Sequence, residues 1–185
     1  MSTASSSSSI SRAVDVINHH GIIAHQTDTV IGLACLPKQH LLRRIQVLKR
    51  RERDKGFILL ASSPTQVSKY IDVTKSELNK LSQATTKPTT WVVDANSSIP
   101  DALLGKNRKI AVRITQHPDV AQLCDVVGAI VSTSANLSQQ QTCLELDQVR
   151  AIFGPRIDFI QSKSTPGTGQ SSTIIDLNTG NVLRK

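Results

Sequence analysis

Five cationic and two anionic side chains are packed into residues 49–56, whose sequence is Lys-Arg-Arg-Glu-Arg-Asp-Lys-Gly. An amphipathic run over residues 41–48 precedes this stretch and an apolar run over residues 57–61 follows it, which predicts a helix, a basic loop and a strand. Such a cluster of cations forms either a solvated basic turn or a binding loop for a polyanion, such as a triphosphate or an RNA backbone. The stretch alone leaves both interpretations open.

Two further stretches carry short polar side chains directly after a predicted buried strand. Residues 25–33 read His-Gln-Thr-Asp-Thr-Val-Ile-Gly-Leu, and residues 132–138 read Ser-Thr-Ser-Ala-Asn-Leu-Ser. Hydroxyl and backbone N–H groups in such loops surround anions in some proteins and form ordinary capped turns in others. These residues alone do not decide between a ligand loop and a turn.

A single cation, Arg113, interrupts the apolar run Ile-Ala-Val-Arg-Ile at residues 110–114, which predicts a buried strand. An unpaired charge in such a position is costly, so Arg113 needs a partner. That partner is either a structural carboxylate or the carboxylate or phosphate of a ligand in a cleft. His117, next to Pro118, is typical of the first residue of a helix rather than of a catalytic base, and Trp91 is typical of a core residue.

The remaining chain supplies elements that would position these residues. Helical periodicity and capping signals predict helices over residues 10–20, 39–48, 64–70, 74–84, 118–126 and 144–153. Apolar and β-branched runs predict strands over residues 22–24, 57–61, 89–93, 110–114, 130–131, 173–177 and 182–184. The fold class is therefore α/β with α+β-like features: a mixed sheet with flanking helices and its ligand loops gathered at one edge.

The net charge of +8 over 185 residues points to an anionic partner, which is a nucleotide, RNA or both. Aromatic residues make up only 3% of the chain. This low content argues against recognition of single-stranded RNA by base stacking, but recognition of folded RNA through its shape and phosphates stays open.

The composition, with 38% apolar residues, predicts one globular domain over residues 10–185 after a floppy Ser-rich tail at residues 1–9, which lacks the features of a signal peptide. Cys35, Cys124 and Cys143 lie far apart, which indicates reduced thiols in a cytoplasmic protein rather than a zinc site or disulfides. No apolar run is long enough to cross a bilayer, so we expect no membrane partner.

Six motifs give the chain a family resemblance, and they occur in the family's order. The motifs lie at residues 26–33, 49–56, 88–91, 111–113, 132–138 and 172–176. Over nearly its whole length the chain resembles the YrdC-like threonylcarbamoyl-AMP synthases, in their short, single-domain form. Gln26 and Ile31 depart from the family's usual Pro and Tyr or Phe, next to the amino-acid end of the pocket, and Glu52 stands where a Pro is common.

The resemblance implies a YrdC-like fold, which is a twisted mixed sheet with a basic concave face. It also implies a nucleotidyltransferase that condenses L-threonine, bicarbonate and ATP into threonylcarbamoyl-adenylate and releases pyrophosphate. Partner proteins would transfer the threonylcarbamoyl group to an adenosine beside the tRNA anticodon. We expect tRNA or another RNA to bind the basic face, and we expect the protein in the cytoplasm.

The same resemblance implies the residues of the site. The predicted catalytic residues are Lys49 and Arg51. The predicted ATP-binding residues are Lys49, Arg51, Lys55, Ser134, Asn136 and Arg184. The predicted threonine-binding residues are Thr29, Arg113, Ser132 and Ser172, with Arg113 taking the carboxylate as a bidentate pair. No protein metal ligand is predicted, because Mg²⁺ would be held mainly by phosphate oxygens.

Two other functions compete with this one. A non-catalytic RNA-binding or ribosome-assembly module could use the same basic face, but binding to a phosphate backbone does not need the ordered hydroxyl loops. A related carbamoyl-adenylate site with a different acceptor, as in hydrogenase maturation, is kept open by Gln26 and Ile31, although such sites belong to longer, multidomain chains.

Overall fold

The computed structural model describes residues 3–83, 85–105, 108–162 and 166–185. The strands are β1 (Ile23–His25), β2 (Gly32–Cys35), β3 (Ile58–Ala61), β4 (Thr89–Asp94), β5 (Lys109–Ile114), β6 (Ile130–Ser134), β7 (Phe159–Ile160), β8 (Thr173–Asp176) and β9 (Val182–Arg184). The helices are α1 (Thr3–Asn18), α2 (Gln39–Lys49), α3 (Pro64–Val67), α4 (Lys75–Leu81), α5 (Pro118–Val127) and α6 (Leu146–Phe153). Short 3-10 helices lie at Ser68–Tyr70, Asp101–Leu103 and Gly154–Arg156.

The strands form one sheet in the order β7-β1-β2-β6-β3-β5-β4-β8-β9. Three neighbouring pairs, β1 with β7, β3 with β5 and β4 with β8, are parallel, and the other pairs are antiparallel. The prediction of a mixed α/β sheet with flanking helices is confirmed. The predicted C-terminal hairpin is also present as β8 and β9, with Gly180 at a positive φ of 73° in the turn.

One face of the sheet is covered by a large apolar core, to which α2 contributes four residues. Leu41, Leu42, Ile45 and Leu48 recur at helical spacing on α2 and are all buried in this core. The helix ends because Arg50 adopts a left-handed conformation, with φ 51°, and its N–H bonds back to the helix carbonyls. The basic loop therefore starts at a defined point next to the sheet.

The opposite face is covered at one end only. There, α1 and α5 pack on the sheet through a second apolar cluster that includes Ile17, Leu123, Ile23 and Leu60. Side chains two residues further along the same strands face the same way, because side chains alternate along a strand. At that end β1, β2 and β6 carry His25, Gly32 and Ser132 in place of aliphatic residues, whereas β3 keeps Ile58. The candidate site occupies this uncovered end of the face.

Several boundaries differ from the sequence prediction. Helix α1 begins at Thr3, well before the predicted start at Ile10, so it includes residues assigned to the tail. Ser9 is buried and donates a hydrogen bond to the carbonyl of Ser162, which anchors this part of the helix. Strands β2 and β7 were not predicted, and β6 continues to Ser134 instead of ending at Val131. The predicted capping box of Thr74 and Glu77 is confirmed at the start of α4.

Helix α4 ends at Leu81, short of the predicted end near Ala84. Three parts of the predictions lie outside the described residues: the first two residues of the tail, Ala84 itself, and residues 164–165 of the loop before β8.

Candidate active site

One cavity at the uncovered end of the sheet face collects most of the predicted site residues. Those that line it are Thr29, Arg51, Arg113, Ser132, Ser134, Ser172 and Arg184. The cavity is completed by Thr27, Val30, Gly32, Gly56, Ile58, Thr133 and Ser171. None of these described lining residues is acidic, so three guanidinium groups and a set of hydroxyl groups face the same space. This arrangement favours an anionic ligand.

Strand pairing explains how residues distant in sequence meet here. Ser132 lies opposite Ile58 across β6 and β3, and Ile58 lies opposite Ala111 across β3 and β5. Arg113 follows Ala111 by two residues and so points to the same face. Ser134 likewise follows Ser132 by two. The predicted loop at residues 132–138 thus begins as a strand, and its first two serines reach the cavity by alternation along that strand.

Arg113 is almost fully buried, with 5% of its side chain exposed, and it has a carboxylate partner. Its Nη2 lies 3.3 Å from Asp28 Oδ1, and its Nη1 donates to Thr29 Oγ1 at 3.3 Å. Burial lowers the pKa of Arg113, and the Asp28 charge opposes that shift. The Nε of Arg113 has no hydrogen-bond partner among the described residues, which leaves donor capacity for a ligand. Arg113 therefore has the structural carboxylate of the first alternative, and it also lines a cavity, as the second alternative requires.

The loop at residues 27–30 is rigidly held around Thr27. Thr27 Oγ1 accepts hydrogen bonds from the N–H groups of Thr29 and Val30 and donates one to the Val30 carbonyl. Gly167 packs so closely on this loop that a Cβ there would lie 2.2 Å from the Thr27 carbonyl oxygen. Only glycine fits that approach. The segment before β8 thus packs against the loop that carries Thr29.

The C-terminal hairpin brings Arg184 and Ser172 together on the opposite wall. Arg184 donates from Nε and Nη2 to the Ser172 carbonyl at 3.2 and 3.0 Å. The Ser172 hydroxyl lies 2.8 Å from Thr90 Oγ1 on β4. Both side chains are fixed by contacts within the protein before any ligand is present.

Arg51 is held in a similar way in the basic loop. Its Nη2 donates to the Gly56 carbonyl at 2.7 Å and its Nε to the Lys55 carbonyl at 3.2 Å. Its guanidinium lies 5.2 Å from the centre of the Phe57 ring, a cation–π contact. Burial lowers the pKa of Arg51, which remains a cation because an arginine pKa is so high.

The other three predicted site residues do not line the cavity. Lys49 is buried, and its Nζ donates to the carbonyls of Ser134 and Asn136 and to Asn136 Oδ1. Asn136 Oδ1 also accepts from Ser134 Oγ at 2.6 Å. Lys49 and Asn136 therefore hold the end of β6 that carries Ser134, and they do so without lining the cavity. Lys55 is exposed and pairs with Glu52 at 3.2 Å.

Sequence reasoning missed two residues next to the cavity. Asp28 was noted only as part of a turn, although it is the sole carboxylate in the stretch of residues 25–33 and pairs with Arg113. His25 is fully buried and its Nε2 lies 3.3 Å from Ser132 Oγ. The signal for it in the sequence was a histidine directly after the apolar run of residues 22–24, where the sequence prediction ended the strand and the structure continues it.

A second, apolar hollow adjoins the cavity and shares Gly56 with it. Phe57, Val92, Ala111 and Leu183 form its apolar walls. An ion pair of Lys109 and Asp176 at 2.9 Å also lines the hollow. Its volume of about 480 Å³ lies in the range of roughly 300–1,000 Å³ that is typical of small-molecule sites.

Across the described ranges, no group of three or more His, Cys, Asp or Glu side chains is placed to hold a metal ion. All three cysteines are buried and unpaired. Within the part of the chain that the structure describes, no helix combines the length and the apolarity that a bilayer crossing needs.

Sequence comparison with known proteins shows which family the chain belongs to. The Sua5/YciO/YrdC family model, described as "Telomere recombination", matches residues 15–185. A threonylcarbamoyl-AMP synthase from Escherichia coli O6:H1 is 38% identical over 95% of this chain and 95% of its own length. A protein of the same name from Pseudoalteromonas translucida is 36% identical over 97% of this chain and 99% of its own.

Among solved structures, P. abyssi Sua5 in complex with L-threonine superposes with a TM-score of 0.84 and 25% identity. The match covers 94% of this chain and 52% of that one, so the present chain spans about half the length of the P. abyssi protein.

Proposed function

The chain belongs to the Sua5/YciO/YrdC family, and on that premise we propose that it is a threonylcarbamoyl-AMP synthase. It joins L-threonine, bicarbonate and ATP into threonylcarbamoyl-adenylate and releases pyrophosphate. The observation that carries the proposal is the convergence of Arg51, Arg113 and Arg184 with serine and threonine hydroxyls in one cavity. The names of the two bacterial relatives support an enzyme rather than a non-catalytic RNA-binding module.

The chemistry explains why such a cavity is needed. The amine of threonine adds to CO₂ derived from bicarbonate and gives a carbamate. A carbamate oxygen then attacks the α-phosphorus of ATP, and pyrophosphate leaves. This step brings two anions together, so fixed cations and hydrogen-bond donors contribute more than a dedicated base does.

We assign Arg113 to the carboxylate of threonine, because it is the buried arginine with unused donor capacity. Thr29, Ser132 and Ser172 lie around the same cavity and would hold the amine and hydroxyl of threonine. A site that hydrogen-bonds this hydroxyl would discriminate strongly against valine, which has a similar shape but lacks the hydroxyl.

We assign Arg51 and Arg184 to the phosphates of ATP, with Ser134 donating to a phosphate or carbamate oxygen. Lys49 and Asn136 would act through Ser134 by holding its loop, and Lys55 would approach the phosphates from the rim of the cavity. The adjoining apolar hollow, which shares Gly56 with the cavity, would accept the adenine base.

Further components of the reaction belong to the same proposal. Mg²⁺ would be carried by phosphate oxygens and water, since the described lining residues offer hydroxyl groups but no carboxylate. The net charge of +8 supports binding of tRNA or another RNA, with separate proteins transferring the threonylcarbamoyl group. We expect the protein to act in the cytoplasm.

The decisive test is product analysis after incubation with ATP, radiolabelled bicarbonate and threonine. We expect pyrophosphate release that depends on threonine, label in an adenylate of the expected mass, and little release with valine. Pyrophosphate release that is independent of threonine, or none at all, would refute the assignment. Calorimetric titration with ATP and threonine then separates an enzyme from a protein that only binds RNA.

A further inference from the structure

His25 lies behind the cavity wall and reaches Ser132 across an intervening strand. His25 ends β1 and lies opposite Gly32 on β2, whereas Ser132 belongs to β6 on the far side of β2. A Cβ at Gly32 would stand 2.6 Å from Ser132 Oγ and 3.5 Å from His25 Nε2. The missing side chain at Gly32 therefore opens the space through which the imidazole contacts the hydroxyl at 3.3 Å.

The imidazole of His25 is neutral at physiological pH. Burial lowers its pKa to about 3, and electrostatic interactions with His117 and with the Arg113 guanidinium act in the same direction. A neutral imidazole carries one N–H group, on either Nδ1 or Nε2.

The hydrogen-bonding pattern assigns the proton to Nε2. Nδ1 is buried and has no hydrogen-bond partner in the described part of the chain, so an N–H there would be an unsatisfied buried donor. With the proton on Nε2, His25 donates to Ser132 Oγ. The hydroxyl hydrogen of Ser132 then has to point elsewhere, and Ser132 lines the cavity.

We propose that His25 is a positioning residue that fixes the Ser132 hydroxyl as a hydrogen-bond donor toward an anionic oxygen of the amino-acid substrate. The inference rests on the proposed function, because it concerns how the carboxylate held by Arg113 receives a second donor. His25 itself does not line the cavity and acts only through Ser132. A serine without this partner would rotate its hydroxyl freely and would present donor and acceptor to the ligand alternately.

Steady-state kinetics of four variants test the proposal: His25→Phe, His25→Gln, Ser132→Ala and the double variant His25→Phe/Ser132→Ala. Loss of one hydrogen bond predicts a rise of roughly 5- to 10-fold in the threonine KM of His25→Phe. The KM for ATP should change less than about twofold on the same reasoning, because the lost bond serves the amino acid. His25→Gln keeps an amide N–H near the position of Nε2 and should behave nearly as the parent protein does.

The double variant isolates the coupling, because His25 is expected to act only through Ser132. It should be no worse than Ser132→Ala alone. The proposal is overturned by a His25→Phe effect that persists undiminished without the Ser132 hydroxyl, by equal rises for ATP and threonine, or by a His25→Gln protein as impaired as His25→Phe.

Nitrogen NMR of the unaltered protein gives a second measurement that no folding defect can obscure. We expect His25 to stay in the Nε2–H tautomer from pH 5 to 9, and an Nδ1–H tautomer or an imidazolium in that range overturns the proposal. Threonine-dependent pyrophosphate release by the unaltered protein is measured first. Its absence refutes both the proposed function and this role, whereas activity with any of the contrary variant results refutes the role of His25 alone.

Discussion

Replacing Arg113 with alanine should raise the threonine KM far more than the ATP KM. The side chain is 5% exposed, and no described residue is a hydrogen-bond partner of its Nε. Truncating one partner of a buried, hydrogen-bonded charge pair costs about 2–5 kcal/mol. A value near ~3 kcal/mol corresponds to a rise of roughly 100-fold in the threonine KM. The ATP KM should move by less than about threefold, because the phosphates are assigned to other arginines.

The Arg113→Ala variant also leaves Asp28 without its cation, which needs a control. An uncompensated buried carboxylate destabilises a fold by roughly 3–5 kcal/mol. Asp28 keeps a hydrogen bond from Thr115 at 3.3 Å and some exposure, so we expect a smaller loss. Arg113→Ala in an Asp28→Asn background removes both charges together. Arg113→Lys retains a charge but loses the planar fork and should show an intermediate threonine KM.

The assay measures pyrophosphate release at varied threonine with saturating ATP, and then at varied ATP with saturating threonine. Thermal melting of each variant reports the stability loss separately. The carboxylate role of Arg113 is refuted if both KM values rise equally. It is also refuted if Asp28→Asn/Arg113→Ala recovers the threonine KM of the parent protein, since the effect would then arise from the abandoned carboxylate.

Three other predictions concern the basic loop and the overall charge. Arg51→Ala should lower turnover at least ~100-fold without unfolding the protein. Arg53→Ala changes an exposed residue of the same loop and should leave turnover unchanged. Equal effects of the two substitutions on turnover would show that Arg51 has no role in the mechanism. Burial and the charge of Arg51 lower the pKa of Lys49 to about 7 in the folded protein. The pKa of the same lysine in the unfolded chain is higher, so between these two pKa values the unfolded state binds more protons than the folded state. The difference in free energy of unfolding between the parent protein and Lys49→Met, measured in urea, should therefore rise from pH 7 to 10. A difference that does not change with pH would show that the three oxygen acceptors keep Lys49 charged. The logarithm of the RNA-binding constant should fall linearly with the logarithm of the salt concentration. A binding constant that does not change with salt would show that the excess of basic side chains does not contact phosphates.

Elements with a strong apolar pattern could be predicted from the sequence. Strand β3 is a continuous apolar run, β5 has four apolar residues among its six, and α2 carries four apolar residues at helical spacing. Strand β2 escaped prediction because it has only four residues, begins with glycine and follows a polar loop. Strand β7 has two residues and is formed only because its neighbour β1 is there to pair with it.

The composition of the site was easier to predict than the direction of its side chains. Ser132 and Ser134 were assigned to a loop because five polar residues in seven resemble a turn, yet they occupy alternate positions of a strand. Lys49 was expected to face a ligand, but whether a lysine at the end of a helix points outward or inward depends on carbonyl groups of residues 134 and 136, far away in sequence. The pairing of Arg113 with Asp28 likewise depends on strand order, which no local pattern encodes.

The way the three arginines are held explains how the cavity keeps its positive charge. A carboxylate partner would fix an arginine but would also cancel its charge, whereas a carbonyl oxygen fixes it and leaves the charge nearly intact. The hydrogen bonds of Arg51 go to carbonyl oxygens, and those of Arg184 go to the carbonyl and hydroxyl oxygens of Ser172, so neither guanidinium charge is cancelled, as the proposed phosphate-binding role requires. Arg113 is paired with Asp28 at 3.3 Å. Under the proposed assignments, a substrate carboxylate at Arg113 would enter a nearly neutral local environment and the phosphates a cationic one, so that separate, preorganised groups would receive the two anions before they react.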